Sequence, residues 1–283
     1  MNIVLTGANG FIGSNLICKF KEKKCNVMNL SYREDFDINI NKIIDFEPTI
    51  LIHCAWSGGN NYLDSNSLDQ YDKNIPNSIK LLELINSIKT IKSFVGIGSS
   101  FEYGNKKDKF VETDIEQPVD FYGLTKTFFK TYSNIYCKLN NIEWTWIRPV
   151  YTYGPKDIKT RLIPRTIIKM IKNESDIKFN SCQSIVDYLY IDDFTEATYE
   201  LIKQNKNGIF NICSGQEYKV KDIILKIAEI TKFNKNISFD ESDDIKKPNY
   251  ICGDNAKIKK EILWKPKINL EEGLNKTIQK IIL

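Results

Sequence analysis

Met1-Asn2-Ile3-Val4-Leu5-Thr6-Gly7-Ala8-Asn9-Gly10-Phe11-Ile12-Gly13 opens the chain as a strand, a turn and the start of a helix. Ile3-Val4-Leu5 reads as a buried strand. Glycines at 7, 10 and 13 allow a tight turn, a close backbone approach to a pyrophosphate, and close packing of the next helix on the sheet. The N-terminus of that helix then turns its N–H groups toward the phosphates. The spacing is G-x-x-G-x-x-G rather than G-x-G-x-x-G. Gly7, Asn9, Gly10, Phe11, Ile12 and Gly13 are read as a dinucleotide cradle because a strand precedes them and a helix follows; a glycine turn without a ligand is the alternative.

Outward from this run, short apolar stretches alternate with longer amphipathic ones, the pattern of βαβ units and a doubly wound parallel sheet in an α/β fold. Strands are expected at Asn2 to Thr6, Asn26 to Leu30, Ile50 to Cys54, Phe94 to Gly98 and Thr145 to Ile147. Helices are expected to begin near Gly10, Asp37, Asn74 and Tyr122. Beyond Pro149 the regularity weakens, with prolines at 155, 164, 248 and 266, and a smaller second lobe is expected there. The division assigns 1–155, with a returning segment near 186–212, to a dinucleotide-binding domain. Residues 156–185 and 213–283 form the smaller lobe.

With 283 residues, 42% of them hydrophobic and 27% charged, the chain can bury a sizeable core. The 40 basic and 36 acidic residues are interspersed, which argues against a nucleic-acid-binding arm and suits a small anionic ligand. Seven cysteines show no C-x-x-C spacing and lie mostly in apolar runs; they are read as reduced core residues, with no metal site. No apolar run approaches the roughly 20 residues of a spanning helix and no leader pattern is present, so a cytoplasmic protein without a membrane partner is expected.

Selectivity for the adenosine ribose is expected at the end of the second strand. Ser31 stands there in place of an acidic residue, and Arg33 follows, a residue type that pairs with phosphate. NADP is therefore favoured, with NAD the alternative if Arg33 is solvated and Glu34 or Asp35 meets the ribose. Asp37 and Ile38 are placed beside the adenine. Tyr122-Gly123-Leu124-Thr125-Lys126 puts a phenol and an ammonium on one helix face, where the ammonium is expected to lower the phenol's pKa from near 10. Such a tyrosine exchanges a proton with a carbonyl or hydroxyl. Gly98-Ser99-Ser100-Phe101-Glu102-Tyr103-Gly104 follows the fourth strand, where Ser99 can bond the same oxygen; helix capping by Ser99 and Ser100 is the alternative. His53, the single histidine, lies in a buried-strand pattern and is read as structural.

Together with Ile52-His53-Cys54-Ala55-Trp56, Arg148-Pro149-Val150-Tyr151-Thr152-Tyr153-Gly154-Pro155, Asp187-Tyr188-Leu189-Tyr190-Ile191-Asp192-Asp193 and Leu263-Trp264-Lys265-Pro266, these motifs resemble the extended short-chain dehydrogenase/reductases, in their nucleotide-sugar epimerase, dehydratase and ketoreductase group. The likeness spans nearly the whole chain. It implies a Rossmann-type doubly wound parallel sheet with a smaller C-terminal α/β substrate lobe. It also implies Tyr122 as acid/base, Lys126 as the partner of Tyr122 and of the nicotinamide ribose, and Ser99 as the group orienting the reacting oxygen. Cys54, Ala55, Trp56, Asn74 and Val150 are implied as cofactor neighbours.

Departures from the group's patterns narrow the chemistry. Ser99 is followed by Ser100 and Phe101 where the 4,6-dehydratases carry an Asp-Glu pair, so elimination lacks its acid and base. Epimerases of the group usually have an acidic residue where Ser31 stands. The 3,5-epimerising 4-reductases need added Cys and His acid/base groups, and His53 reads as buried. The remaining implication is NADPH-dependent reduction of a nucleotide-linked 4-keto sugar, a 4-keto-6-deoxy one, for surface polysaccharide. An NAD-dependent epimerase is the alternative, and a non-catalytic NADP-binding scaffold the third reading. Ser100, Phe101 and Trp56 are candidates for the sugar pocket, although Trp56 equally suits a core. Val186 replaces an arginine that relatives use on the diphosphate, leaving Arg161, Arg165 or Lys247 for that charge unless they are solvated. A homodimer through the helices near Asn74 and Tyr122 is implied, with Leu81, Leu82, Ile85, Phe128, Phe129 and Tyr132 permitting either that face or packing on the sheet.

Overall fold

The computed structural model describes residues 1–31, 40–57, 70–180, 182–239 and 250–282, except for the side chain of Ile85. Arg33, Glu34, Asp35, Asp37, Ile38 and Lys247 lie outside the described residues. Strands β1 (Asn2–Thr6), β2 (Asn26–Leu30), β3 (Ile50–His53), β4 (Ser93–Ile97) and β5 (Glu143–Pro149) alternate with helices α1 (Phe11–Glu22), α2 (Ile40–Asp45), α3 (Ile75–Ser87) and α4 (Phe121–Leu139). A π-helical turn, Gln70–Asn74, leads into α3, and a 3-10 turn, Ser100–Tyr103, follows β4. The second half contains β6 (Tyr151–Tyr153), α5 (Leu162–Ile171), β7 (Ile177–Phe179), β8 (Ile185–Val186), β9 (Tyr188–Tyr190), α6 (Ile191–Lys203) and β10 (Gly208–Ile212). It ends with β11 (Tyr218–Lys219), α7 (Val220–Thr231), β12 (Ile237–Phe239), β13 (Tyr250–Ile251), α8 (Ala256–Ile262) and α9 (Leu270–Ile282).

Among the described residues, six parallel strands form the main sheet in the order β2-β1-β3-β4-β5-β10. Parallel strands bury both faces, and strand side chains alternate between them. Ile3, Leu5, Ile52 and Val95 pack with Leu16 and Phe20 of α1 and Phe194 and Ala197 of α6. Val4, Leu51, Phe94 and Trp146 pack on the other side with Leu81 and Leu82 of α3 and Phe129 of α4. Of the residues considered for a dimer face, Leu81, Leu82 and Phe129 are thus sheet-facing, because they continue the apolar stripe toward the strands. Phe128 is exposed. Short strand pairs complete the second half: β6 with β9, β7 with β12, and β8 between β11 and β13.

The chain passes from β1 to β2 on one side and then crosses to β3 on the other, so β1 and β3 flank a topological switch point, where doubly wound sheets open a crevice at the strands' carboxyl ends. Thr6, the last residue of β1, sets that crevice. Its hydroxyl oxygen accepts the N–H groups of Cys54 and Ala55, each at 3.2 Å, and lies 2.9 Å from His53 Nδ1. With its lone pairs occupied, the Thr6 hydroxyl has its proton to donate to Nδ1. The His53 Nε2–H then donates to Ser78 (3.0 Å), whose hydroxyl donates to the Asn74 carbonyl (2.6 Å). Burial holds the imidazole pKa well below its usual value, so His53 is a neutral link in this chain. β3 stops at His53 and β4 at Ile97, one residue before the expected ends, because Cys54 and Gly98 turn into the edge loops.

Gly7 has φ +73°, and a methyl group on Gly13 would lie 2.2 Å from the Gly7 carbonyl oxygen. The helix therefore touches the turn backbone to backbone. Gly13→Ala is expected to lower stability by about 1 to 3 kcal/mol through overpacking despite a better helix propensity. Urea unfolding reads the change, and an unaltered midpoint would show that α1 can slide away from the turn.

Candidate active site

Asp120 caps α4, its carboxylate accepting the Gly123 N–H at 2.7 Å. The cap fixes the first turn of the helix at the carboxyl edge of the sheet, with Tyr122 in that turn and Lys126 in the next. Lys126 is buried and donates to the Ile97 carbonyl at 2.7 Å, at the very end of β4. Burial pushes its ammonium down to about 7, against the opposite pull of Glu102 and Cys54. The phenol of Tyr122 does not follow the expectation of a lowered pKa. Burial pushes it up to about 12, Glu102 and Asp120 add to the rise, and the Ser99 hydrogen bond and the Arg161 charge only partly oppose it. Lys126, whose Nζ is 5.8 Å from the centre of the Tyr122 ring, is lowered so far that it is already neutral where the phenol would ionise.

The capping alternative for Ser99 is the one the structure shows. The Ser99 hydroxyl oxygen caps the 3-10 turn by accepting the Phe101 N–H at 3.2 Å, and the hydroxyl is also hydrogen-bonded to Tyr122. Glu102 completes a capping box by accepting the Ser99 N–H at 2.8 Å. The same carboxylate, inaccessible to solvent, accepts the Trp146 Nε1–H at 3.0 Å and the Arg148 Nε–H at 2.7 Å. Arg148 also pairs with Glu116, which pairs with Lys130 of α4, and its guanidinium lies 4.4 Å from the centre of the Tyr103 ring. Sequence reasoning gave Glu102 no role. The S-x-x-E spacing from Ser99 was its visible signal.

At the switch point, the Gly7 to Gly13 turn and the N-terminus of α1 face the Cys54-Ala55-Trp56 loop. A methyl group on Gly7 would lie 2.6 Å from the Ala55 nitrogen, so the glycine turn and this loop touch backbone to backbone. A glycine turn that runs into a helix N-terminus at a switch point is the arrangement that admits a pyrophosphate, and the residues present fit a dinucleotide. Ser31 follows β2 directly and is exposed. Asn74 is buried, accepting the Ser57 N–H (2.9 Å) and hydroxyl (3.0 Å) and donating to the Ser57 carbonyl (2.9 Å) and to Gln70 (3.1 Å). It organises the Trp56-Ser57 loop. Trp56 lies under Lys126, Nζ to ring centre 3.8 Å.

Toward the second half, the Phe101 ring meets Tyr122 edge-on at 6.0 Å and Tyr151 edge-on at 6.3 Å. Ser100 is buried, and Val150 is buried in a small cluster with Tyr103, Phe110, Cys213 and Ile251. Arg161 is partly exposed, pairs with Asp157 at 3.2 Å, and is near enough to act on the Tyr122 phenol. Arg165 is exposed on α5. The structure thus gathers Ser99, Phe101, Tyr122 and Lys126, sets Arg161 at their rim and holds Ser100 and Val150 below the surface. Among the described residues, no group of three His, Cys, Asp or Glu suited to a metal is present, and no helix is long and apolar enough to cross a membrane.

The profile of the NAD dependent epimerase/dehydratase family matches residues 3–213. The chain belongs to that family. A putative UDP-glucose 4-epimerase of Methanocaldococcus jannaschii is 26% identical over 98% of this chain and 97% of its own length. A GDP-6-deoxy-D-talose 4-dehydrogenase of Aggregatibacter actinomycetemcomitans is 25% identical over 91% of this chain and 90% of its own. Among solved structures, the UDP-glucuronic acid 4-epimerase of Bacillus cereus, in complex with UDP-glucuronic acid and NAD, superimposes with a TM-score of 0.89 at 24% identity, covering 100% of this chain and 99% of that one. Family members of this extended short-chain dehydrogenase/reductase type thus share the whole fold, both halves included.

The ion pair beneath Ser99 yields a direct expectation. Glu102→Leu strips Arg148 of one of its two carboxylates where both side chains are fully buried, and loss of one member of a buried pair is worth about 3 to 5 kcal/mol. Denaturant unfolding measures it. A loss below about 1 kcal/mol, the scale of an exposed pair, would show that Glu116 alone satisfies the guanidinium.

Proposed function

We propose that the protein is a nucleotide-sugar 4-ketoreductase that uses NADPH. The observation that carries the reading is the convergence of Ser99, Tyr122 and Lys126 at the carboxyl edge of the sheet, near the β1/β3 switch point. Gly7, Asn9, Gly10, Phe11, Ile12 and Gly13 are proposed to hold the pyrophosphate. Ser31, Arg33, Asp37 and Ile38 are proposed to meet the adenosine end, and Cys54, Ala55, Trp56, Asn74 and Val150 to bound the rest. Ser31 supports NADPH because no acidic group stands there to repel a 2'-phosphate. The GDP-6-deoxy-D-talose 4-dehydrogenase among the relatives supports 4-keto-sugar chemistry.

A nicotinamide dinucleotide held by these residues would supply a hydride, one hydrogen with both reducing electrons, to the carbonyl carbon. Ser99 donates a hydrogen bond to the carbonyl oxygen, its own oxygen being held by the Phe101 N–H. Tyr122, whose phenol keeps its proton throughout the neutral range, delivers that proton to the same oxygen. The charge left on the phenol is met by Lys126 and, from the rim, by Arg161. Ser100, Phe101, Trp56, Arg161 and Lys247 are the proposed substrate contacts, and residues 156–185 and 213–283 the proposed nucleotide-sugar lobe. A nucleotide-sugar 4-epimerase is the second reading, favoured by the relative from Methanocaldococcus jannaschii. The exposed strip Phe121, Leu124, Phe128, Ile135 and Leu139 along α4 is the proposed face of a homodimer.

The deciding experiment mixes the protein with NADPH and GDP-, CDP-, dTDP- and UDP-linked 4-keto-6-deoxy sugars. Loss of 340 nm absorbance with at least one is expected; no oxidation with any, together with copurified NAD, would favour the epimerase. Tyr122→Phe is expected to reduce turnover by at least about 100-fold while NADPH still binds. Because Lys126 is charged only below about 7, the reduction rate is expected to fall as pH rises through that value, and a rate still rising at pH 8 would remove the ammonium from the step.

A further inference from the structure

Lys126 is a buried cation with an unusual set of partners. One of its three N–H groups goes to the Ile97 carbonyl, and among the described residues no carboxylate lies within ion-pair distance of it. The groups that face its charge are Glu102 from the 3-10 turn, Cys54 and His53 from the end of β3, and Tyr122 one turn earlier on α4. Against the remaining side of the ammonium, 3.8 Å away, lies the face of the Trp56 indole.

That indole is locked. Its Nε1–H donates to Gln70 Oε1 at 2.8 Å; Gln70 is buried and donates in turn to the Ser57 carbonyl at 2.9 Å, and Asn74 donates to the same Gln70 oxygen. The rings of His53 and Phe129 back it at 6.2 and 6.1 Å. Phe129 is three residues beyond Lys126 on α4, so helix and indole are packed as one unit.

We propose that Trp56 is a positioning residue for Lys126: its anchored indole face pins the ammonium against the Ile97 carbonyl, fixing where the positive charge stands beside Tyr122. The chemistry explains the choice of partner. A carboxylate in this position would hold the lysine equally well, yet its negative charge would cancel the ammonium's effect on a phenolate forming at Tyr122. An aromatic face attracts the cation through its quadrupole and adds no net charge. The inference rests on the proposed role of Lys126, but the contact itself is tested without any substrate.

The experiment is a titration of Lys126 followed by NMR on the full chain labelled with 13C at the lysine ε-carbon, the Lys126 signal being identified by its loss in Lys126→Arg. The midpoint, about 7 in the native chain, is expected to fall by roughly half to one and a half pH units in Trp56→Leu, since a desolvated cation–π contact is worth about thirty-fold in proton affinity. Trp56→Phe, which keeps an aromatic face but loses the Gln70 anchor, is expected to fall less. Replacing tryptophan by a trifluorinated tryptophan, which keeps the shape and weakens the quadrupole, covers the case in which Trp56→Leu does not fold. It is expected to lower the midpoint in the native chain and to leave it in place in the Trp56→Phe background. An unmoved Lys126 midpoint in folded Trp56→Leu or in the fluorinated native chain would overturn the proposal. A shifted midpoint in a protein that reduces no 4-keto sugar would leave the contact standing and remove the reductase reading instead.

Discussion

Glu102 lies where solvent does not reach, and the carboxyl edge of β4 is arranged around it. One oxygen receives the Ser99 N–H and the indole N–H of Trp146, the other the guanidinium of Arg148. A buried carboxylate is tolerated only when its lone pairs are filled. The chain fills them with the loop that presents Ser99 and with β5, the next strand of the sheet. Gly98 shows how little room is left, since a methyl group there would lie 2.2 Å from the Trp146 indole and 2.3 Å from Glu102. Ser99 is therefore held from behind by charge and from in front by its own capping hydrogen bond. Ile97, the acceptor for Lys126, is two residues away on the same rigid segment.

Much of this was legible in the sequence, for identifiable reasons. Ile3, Val4 and Leu5 are buried on both faces, so they read as a strand, and the glycine turn that follows is recognisable from its spacing together with the strand before it and the helix after it. Tyr122 and Lys126 were readable as a pair because helical periodicity places them on one face. Glu102 was harder to see. Its meaning comes from Arg148 and Trp146, more than forty residues away, and no local pattern announces a partner at that separation. Asn74 is implied as a cofactor neighbour by the resemblance alone; that its side chain engages Ser57 and Gln70 is a tertiary contact that no local pattern announces. The sign of the Tyr122 shift was misjudged for a similar reason: i, i+4 spacing gives proximity, while the depth of burial belongs to the tertiary structure.

Two ionisable groups one helical turn apart are driven apart in proton affinity by the same cause acting on opposite charges. Burial disfavours the phenolate and the ammonium alike, so it raises one and lowers the other. The resting arrangement is a neutral phenol beside a lysine near its midpoint. Such a pair is poised for proton delivery, because either charged form is stabilised by the appearance of the other.

The ring of Tyr122 is also the end of a column. Phe101 stands on it, Tyr151 meets Phe101, Tyr188 stacks on Tyr151 at 5.3 Å, Tyr153 meets Tyr188, and Tyr190 meets Tyr153. The column is rooted in the last helix, where the Tyr153 hydroxyl donates to the Leu270 carbonyl and Gly273 leaves room for both Tyr153 and Tyr190. The two halves of the molecule consequently cannot diverge independently. A residue larger than glycine at 273 would push on the first ring of a stack whose far end is Tyr122, so the variation open to the C-terminal half is restrained by a register of aromatic contacts that begins about 150 residues earlier in the chain.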